Sequence, residues 1–355
     1  MTKEHAQTGI AAALGAAALF GMSTPAAKAL LTTVDPWLTA GLLYLGAGVG
    51  LGVTRILQRF IRRTSGETPL RPADLPWLAA SVTAGGVIGP VLLMSGLAQT
   101  GAATSSLLLN LEGLATMAIA WIVFREHVDQ RLLLGALSIL AGAVLLSWQG
   151  DGVAVNTGAL LVALACLAWG IDNNLTRKLS SADPLQIAMI KGFVAGSVNL
   201  ALSLSLGAAL PKLADVVAVG TVGFLGYGVS LTLFVTALRH LGTARTGAYF
   251  SSAPFVGAVL GIAFLDEPVT WTLLTAGGLM ALGLYLHLAE RHSHEHVHEP
   301  IEHEHGHVHD HHHRHAHADG VVTDMQHAHW HRHVPLVHRH PHYPDLHHRH
   351  RHRHR

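Results

Sequence analysis

Charge is scarce in most of this chain. Up to Ala289 there are only 15 Lys/Arg and 13 Asp/Glu, nearly all lying between long apolar runs. Nucleic-acid binders meet phosphates with dense Lys/Arg, so no nucleic-acid partner is expected. Cysteine is scarcer still. Cys166 stands alone inside an apolar run, so it forms no internal disulfide and the redox compartment cannot be read from it. The same region holds only four histidines, His5, His127, His240 and His287, all at predicted helix ends or connections. No apolar segment carries a His/Asp ligand pair at helical spacing, and no H-E-x-x-H occurs. Ser197 follows Gly196, but no histidine lies at membrane depth to activate it, so an intramembrane enzyme is not expected.

What is present is apolar length. About 20 apolar residues span the hydrocarbon core of a bilayer, and ten such segments occur. They fall near 10–31, 37–58, 75–97, 102–124, 131–149, 156–178, 184–207, 216–238, 244–265 and 271–289. The fold class is therefore an all-α integral membrane protein whose first partner is the lipid bilayer. The first segment reads as an uncleaved span, because its apolar run is too long for a signal peptide. With the N-terminus in the cytoplasm, Arg55, Arg59, Arg62, Arg63, Arg71, Arg125, Arg131, Arg177, Lys178, Arg239, Arg245 and Arg291 lie at inner connections. Only Lys28 and Lys212 fall near the outer side. The Lys/Arg bias sets topology, so both termini are expected in the cytoplasm of a multi-pass cell-membrane (plasma or inner membrane) protein.

The chain states its plan twice. Gly96 to Val128, GLAQTGAATSSLLLNLEGLATMAIAWIVFREHV, meets Ala237 to Val269, ALRHLGTARTGAYFSSAPFVGAVLGIAFLDEPV, at a shift of 141 positions without a gap. Leu97, Gly101, Ala103, Glu126 and Val128 meet Leu238, Gly242, Ala244, Glu267 and Val269. The starts of the halves also echo one another, LGAAALFGMSTPAAKAL…DP against LVALACLAWGIDNNLTRKL…DP, with Gly21 on Gly170. Five spans per half is an odd number, so the second half enters from the opposite side. Such inverted repeats commonly hold a substrate near their pseudo-twofold axis. Residues 10–149 form the first repeat, 156–289 the second, and 290–355 a tail.

These features resemble the EamA-type carriers of the drug/metabolite transporter superfamily over about residues 10–289. The residues that carry the resemblance are the acidic turns after the fourth and ninth spans, REHVDQRLLLGALSILAGAVLL and DEPVTWTLLTAGGLMALGLYL, and the G-x-S/D start of each half. The resemblance implies a secondary carrier, often an exporter, of small organic metabolites such as amino acids. It does not name a substrate. One departure is that Pro268 follows Glu267, whereas His127 follows Glu126.

Charges inside a membrane are costly and mark candidate functional sites. Glu112, with Asn110 in SLLLNLEGL, lies in the middle of the fourth span. Asp172 and Asn173 lie in GIDNNL of the sixth, and Lys191 in the seventh. Asp172 and Lys191 sit about 10 Å from the same membrane face at ~1.5 Å per helical residue, so they are expected to pair, either as a tie between helices or as part of the substrate path. Glu112 shows no opposite charge at its depth. Desolvation favours a neutral carboxyl, so Glu112 is a candidate for coupling transport to protons or for meeting a cationic substrate group. In the other half, Tyr249, Ser251 and Ser252 hold equivalent positions, and Ser23, Thr24 and Pro25 match Asp172, Asn173 and Asn174. Trp169 and Tyr227 are candidate aromatic walls. Pro90 after Gly89, and Pro254, are candidate hinges, since proline removes a backbone donor. Glu126 and Glu267 lie at opposite faces and are expected to cap or gate helix ends. Glycines crowd Gly46–Gly52, Gly85–Gly89 and Gly220–Gly228, where small residues let helices approach closely in lipid. A homodimer is a further expected partner state.

The tail from Glu290 holds 25 of the 29 histidines. Its H-x-H runs make His303, His305, His307, His309, His311, His312, His313, His315 and His317 candidate ligands for a divalent transition metal. The tail lacks apolar periodicity, so it is expected to be disordered. The body requires no cofactor. The competing reading is a nickel, cobalt or zinc efflux protein whose tail collects ions. The body argues against it, because its spans lack ligands.

Overall fold

The computed structural model describes residues 3–61, 70–124, 130–148, 156–179, 182–241 and 243–288, and tail segments 293–298, 302–307, 327–332 and 336–341. Ten helices are long and apolar enough to cross a membrane. They are α1 Gln7–Leu30, α2 Pro36–Leu57, α3 Pro72–Gln99, α4 Ala102–Val123, α5 Gln130–Ser147, α6 Thr157–Thr176, α7 Leu185–Ser205, α8 Leu213–Ala237, α9 Thr246–Leu265 and α10 Trp271–Leu288. An even number of spans returns the chain to the face where it began, here termed the N face.

Burial follows the logic of a lipid solvent. Large side chains such as Ile122, Val123, Val259 and Phe264 are exposed, whereas Ala13, Ala16, Ala40 and Ala165 are fully buried. Small residues inside let backbones come together where no hydrophobic effect drives the helices into contact. A Cβ on Gly46 of α2 would run into the backbone of Gly220 on α8, and one on Gly48 would meet Gly192 and Phe193 on α7.

Most helix pairings recur when each helix is exchanged with the one five places later. α2 lies along α7, α5 along α10 and α4 along α9. The contacts of α1 with α8 and α9 are repeated by those of α6 with α3 and α4. Gly21 meets Ala253 and Val256, while Gly170 meets Ala115 and Thr116. Asp35 and Asp183 each open the next helix by accepting backbone N–H bonds, from Trp37 and Leu38 and from Leu185 and Gln186. An N-cap carboxylate satisfies donors that a helix start leaves free, which explains why the D-P pair recurs. The fold is thus two inverted five-helix repeats.

Two irregularities also recur. α3 contains a π-helical stretch at Val82–Ile88 and α8 one at Phe224–Val229. α4 breaks at Leu109–Asn110 and α9 at Ser251–Ser252, so each is two half-helices. In the tail, β1 (Ser293–His298) pairs antiparallel with β4 (Leu336–Pro341), and β2 (Glu302–His307) with β3 (His327–Arg332). Two-stranded ladders are marginal on their own in water, so the all-α description rests on the membrane helices.

Candidate functional site

The break in α4 and the π stretch of α3 lie beside a polar cluster. Its centre is Asp172 on α6, which receives Lys191 Nζ of α7 on both oxygens, at 2.6 Å and 2.8 Å. Ser81 of α3 donates to the same carboxylate, as does Thr176 one turn along α6 at 3.0 Å. Lys191 also reaches Thr176 Oγ1 at 3.2 Å. The pair is enclosed, with side-chain exposures of 16% and 10%. Charges taken out of water persist when they are paired and hydrogen-bonded, and this pair meets both conditions.

The π stretch makes room for it. Gly85 faces the Asp172 carboxylate so closely that a Cβ would overlap its oxygens. The Gly85 carbonyl accepts from Tyr44 Oη at 2.8 Å and from Trp169 Nε1 at 2.9 Å, and the Gly86 carbonyl accepts from Asn199 Nδ2 at 3.1 Å. Wide turns of this kind break the regular helical ladder and often mark functional sites. Here three side chains supply the donors to two of its carbonyls. Gly85→Ala is therefore expected to push α3 away from α6 and to abolish transport while leaving membrane insertion intact. Flux and the monodisperse yield in detergent report the two effects.

Glu112 begins the second half-helix of α4 and is half-buried. Its Oε1 accepts from Asn173 Nδ2 at 2.9 Å, and the same nitrogen reaches Thr116 Oγ1 at 3.1 Å. No cation bonds to Glu112 among the described residues; Lys191 lies within its electrostatic reach but is bonded to Asp172. Tyr44 and Tyr227 are also within its reach. Their rings are 5.7 Å apart, and Tyr227 continues to Phe20 at 5.7 Å, then Phe250 at 5.5 Å, then Phe234 at 4.9 Å. One wall of the cluster is therefore aromatic.

Asp172, Asn173, Lys191 and Glu112 come together. The remaining candidates lie elsewhere. Asn110 turns its amide to the Leu107 carbonyl at 2.8 Å and to Met280 Sδ on α10 at 3.9 Å, away from Glu112. Residues two apart on a helix do not share a face, and the break does not reunite them. Ser251 and Ser252 donate to their own helix, to the Gly247 and Tyr249 carbonyls at 2.8 Å and 2.7 Å. Tyr249 packs with Ala12, Ala13 and Ala237, and its neighbour Phe250 joins the aromatic wall instead. Pro90 is buried just past the π stretch, and Pro254 opens the second half-helix of α9. Glu126 and His309, His311, His312, His313, His315 and His317 lie outside the described residues. In β2, His303, His305 and His307 stand opposite His331, His329 and His327. Sequence reasoning missed Ser81, Tyr44 and Thr116.

The N face and the face opposite it differ in packing among the described residues. At the opposite face, Ala102–Leu108 packs along Ala253–Leu265, with Gly257 against Ser106 and Gly261 against Ala102 and Ala103. Glu267 seals this end by accepting the N–H groups of Ala102 and Ala103, the latter at 2.8 Å. Lys28 closes beside it on the Leu97 carbonyl at 2.7 Å. The repeat-related half-helices at the N face, Leu111–Phe124 and Thr243–Phe250, have no comparable packing among the described residues. A Cβ on Gly247 would meet nothing within 4 Å.

The EamA-like transporter family matches residues 7–148 and again 156–289. The chain belongs to the EamA-like transporter family. An uncharacterised transporter of Methanothermobacter thermautotrophicus is 31% identical over 283 residues, 75% of this chain and 82% of that protein. An uncharacterised protein of Pseudomonas aeruginosa is 29% identical over 194 residues, 54% of this chain and 67% of its own length. A solved crystal structure superposes with a TM-score of 0.56 at 18% identity, covering 77% of this chain and 94% of the other, a likeness of fold alone. This EamA-type protein is a multi-pass membrane transporter.

Proposed function

We propose that this EamA-type protein is a secondary carrier that exports small organic metabolites, amino-acid-like in size, by alternating access. The observation that carries the reading is the charged and aromatic cluster beside the broken helix α4, with the half-helices packed together at the face opposite the N face. The Lys/Arg distribution favours a cytoplasmic N face, and in this reading substrate loads from that side. Glu112 begins the half-helix of α4 that runs to the N face and is the residue proposed to exchange a proton for substrate.

The test is flux in proteoliposomes, comparing amino acids with nickel, cobalt and zinc, for the full chain and for a form ending at Arg291. Organic flux that survives loss of the tail is the expected result. Glu112→Gln is expected to remove the dependence of flux on a pH gradient, and a variant that keeps the full dependence ends the proton-coupling idea. The tail favours a second reading. Its backbone register sets His303, His305 and His307 opposite His331, His329 and His327. Divalent-metal collection by the tail would fit that placement. Metal flux from the tail-less form would overturn the preference for organic substrates.

A further inference from the structure

We infer that the ligand of the polar cluster is a small organic cation, an amine without a free carboxylate, bound by Glu112 against the aromatic wall. The inference deepens the carrier reading and rests on that cluster being the substrate site.

The argument is an accounting of donors and acceptors. An ammonium has three N–H donors. Those of Lys191 have three partners, Asp172 Oδ1 at 2.6 Å, Asp172 Oδ2 at 2.8 Å and Thr176 Oγ1 at 3.2 Å. Lys191 therefore offers nothing to a substrate carboxylate unless its pair is broken. Asp172 is equally committed, since Ser81 and Thr176 donate to it as well. Arg55, the cation further along α2, is held by Asp183 at 2.6 Å. Glu112 differs. Its carboxylate takes a single donor among the described residues, Asn173 Nδ2 on Oε1, and Oε2 is uncommitted.

The aromatic wall points to the same sign of charge. Tyr44 and Tyr227 lie within electrostatic reach of Glu112, and the Tyr44 hydroxyl is already spent on the Gly85 carbonyl. Aromatic faces attract ammonium groups, and more strongly where water is excluded. Among the described residues the site thus holds one negative group with a free oxygen beside aromatic rings, while its cation Lys191 is committed to Asp172 and Thr176. An amino acid would leave its carboxylate unpaired here, and an unpaired buried charge is penalised.

The experiment uses one skeleton with three charge patterns: phenethylamine, phenylalanine and 3-phenylpropionate. Binding to the purified full-length protein in nanodiscs is measured by calorimetry. Phenethylamine is expected to bind, phenylalanine about tenfold or more weakly, and phenylpropionate not measurably, as expected for a charge-assisted hydrogen bond. Glu112→Gln should weaken amine binding by about 10–100-fold. Glu112→Asp should retain part of it, which separates loss of charge from misfolding. Equal binding of all three probes, binding of none, or a Glu112→Gln variant with unchanged amine affinity would overturn the ligand class. Amine binding without amine flux in proteoliposomes would sink the carrier reading while leaving the ligand class standing. Flux of phenylpropionate would do the reverse.

Discussion

Lys191→Ala should be the most damaging single substitution in the membrane body, costing about 3–5 kcal/mol by leaving a buried carboxylate without its cation. Asp172 would keep its two hydroxyl donors, Ser81 and Thr176, but lose both N–H bonds from Lys191. The penalty arises mainly from the orphaned charge, because exchanging a whole buried pair for apolar groups of similar volume is often neutral. The double variant Asp172→Asn with Lys191→Met is therefore expected to recover most of the stability lost in Lys191→Ala. Thermal unfolding in detergent, followed by the monodisperse fraction, checks both. A Lys191→Ala protein as stable as the parent would show that the pair is not a tie between α6 and α7. If the double variant folds but does not transport, the pair also serves the substrate path.

Much of this arrangement was legible in the sequence. The inverted halves follow from an echo at a shift of 141 positions together with an odd number of spans. The breaks in α4 and α9 fall at nearly matching positions of that echo, but of the two only the one at Pro254 had a sequence signal. The Asp172–Lys191 pair was readable from depth alone, since both residues sit a similar distance from the same face. The D-P pairs were visible, and Asp35 and Asp183 do cap α2 and α7.

What stayed hidden depends on rotation and on state. Asn110 and Glu112 are two residues apart, and only the geometry of the break decides which faces the cluster. The π stretch has no pattern distinct from other glycine-rich helix, so the approach of Gly85 to Asp172 could not be foreseen. Ser81, Thr116 and Tyr44 resemble any hydroxyl in a membrane helix, where most bond to a local carbonyl. The sequence also carries both access states at once. Its two halves are alike, and only packing shows that the halves at the face opposite the N face have closed on each other while those at the N face have not.

Glu267→Ala should loosen that closure more than any other side-chain truncation at the opposite face. The carboxylate accepts the N–H groups of Ala102 and Ala103, two of the donors that a helix start leaves unpaired. Each hydrogen bond to a charged group contributes about 1.5–3 kcal/mol, and truncation would leave both donors without a partner. The residue that delivers Glu267 is Asp266, which ends α9 in a left-handed conformation at φ 50°. Such a backbone costs roughly 1–2 kcal/mol for a residue other than glycine, so the clamp is held against local strain. Its release would free the first half of α4 to separate from α9. The readout is labelling from the opposite face by a membrane-impermeant thiol reagent, with Ser106→Cys on a Cys166→Ala background. Ser106 is buried against Gly257, so the parent should label slowly, Glu267→Gln at an intermediate rate and Glu267→Ala fastest. Equal labelling of all three, in protein that elutes as a single folded species, would show that the carboxylate caps a helix without holding the gate.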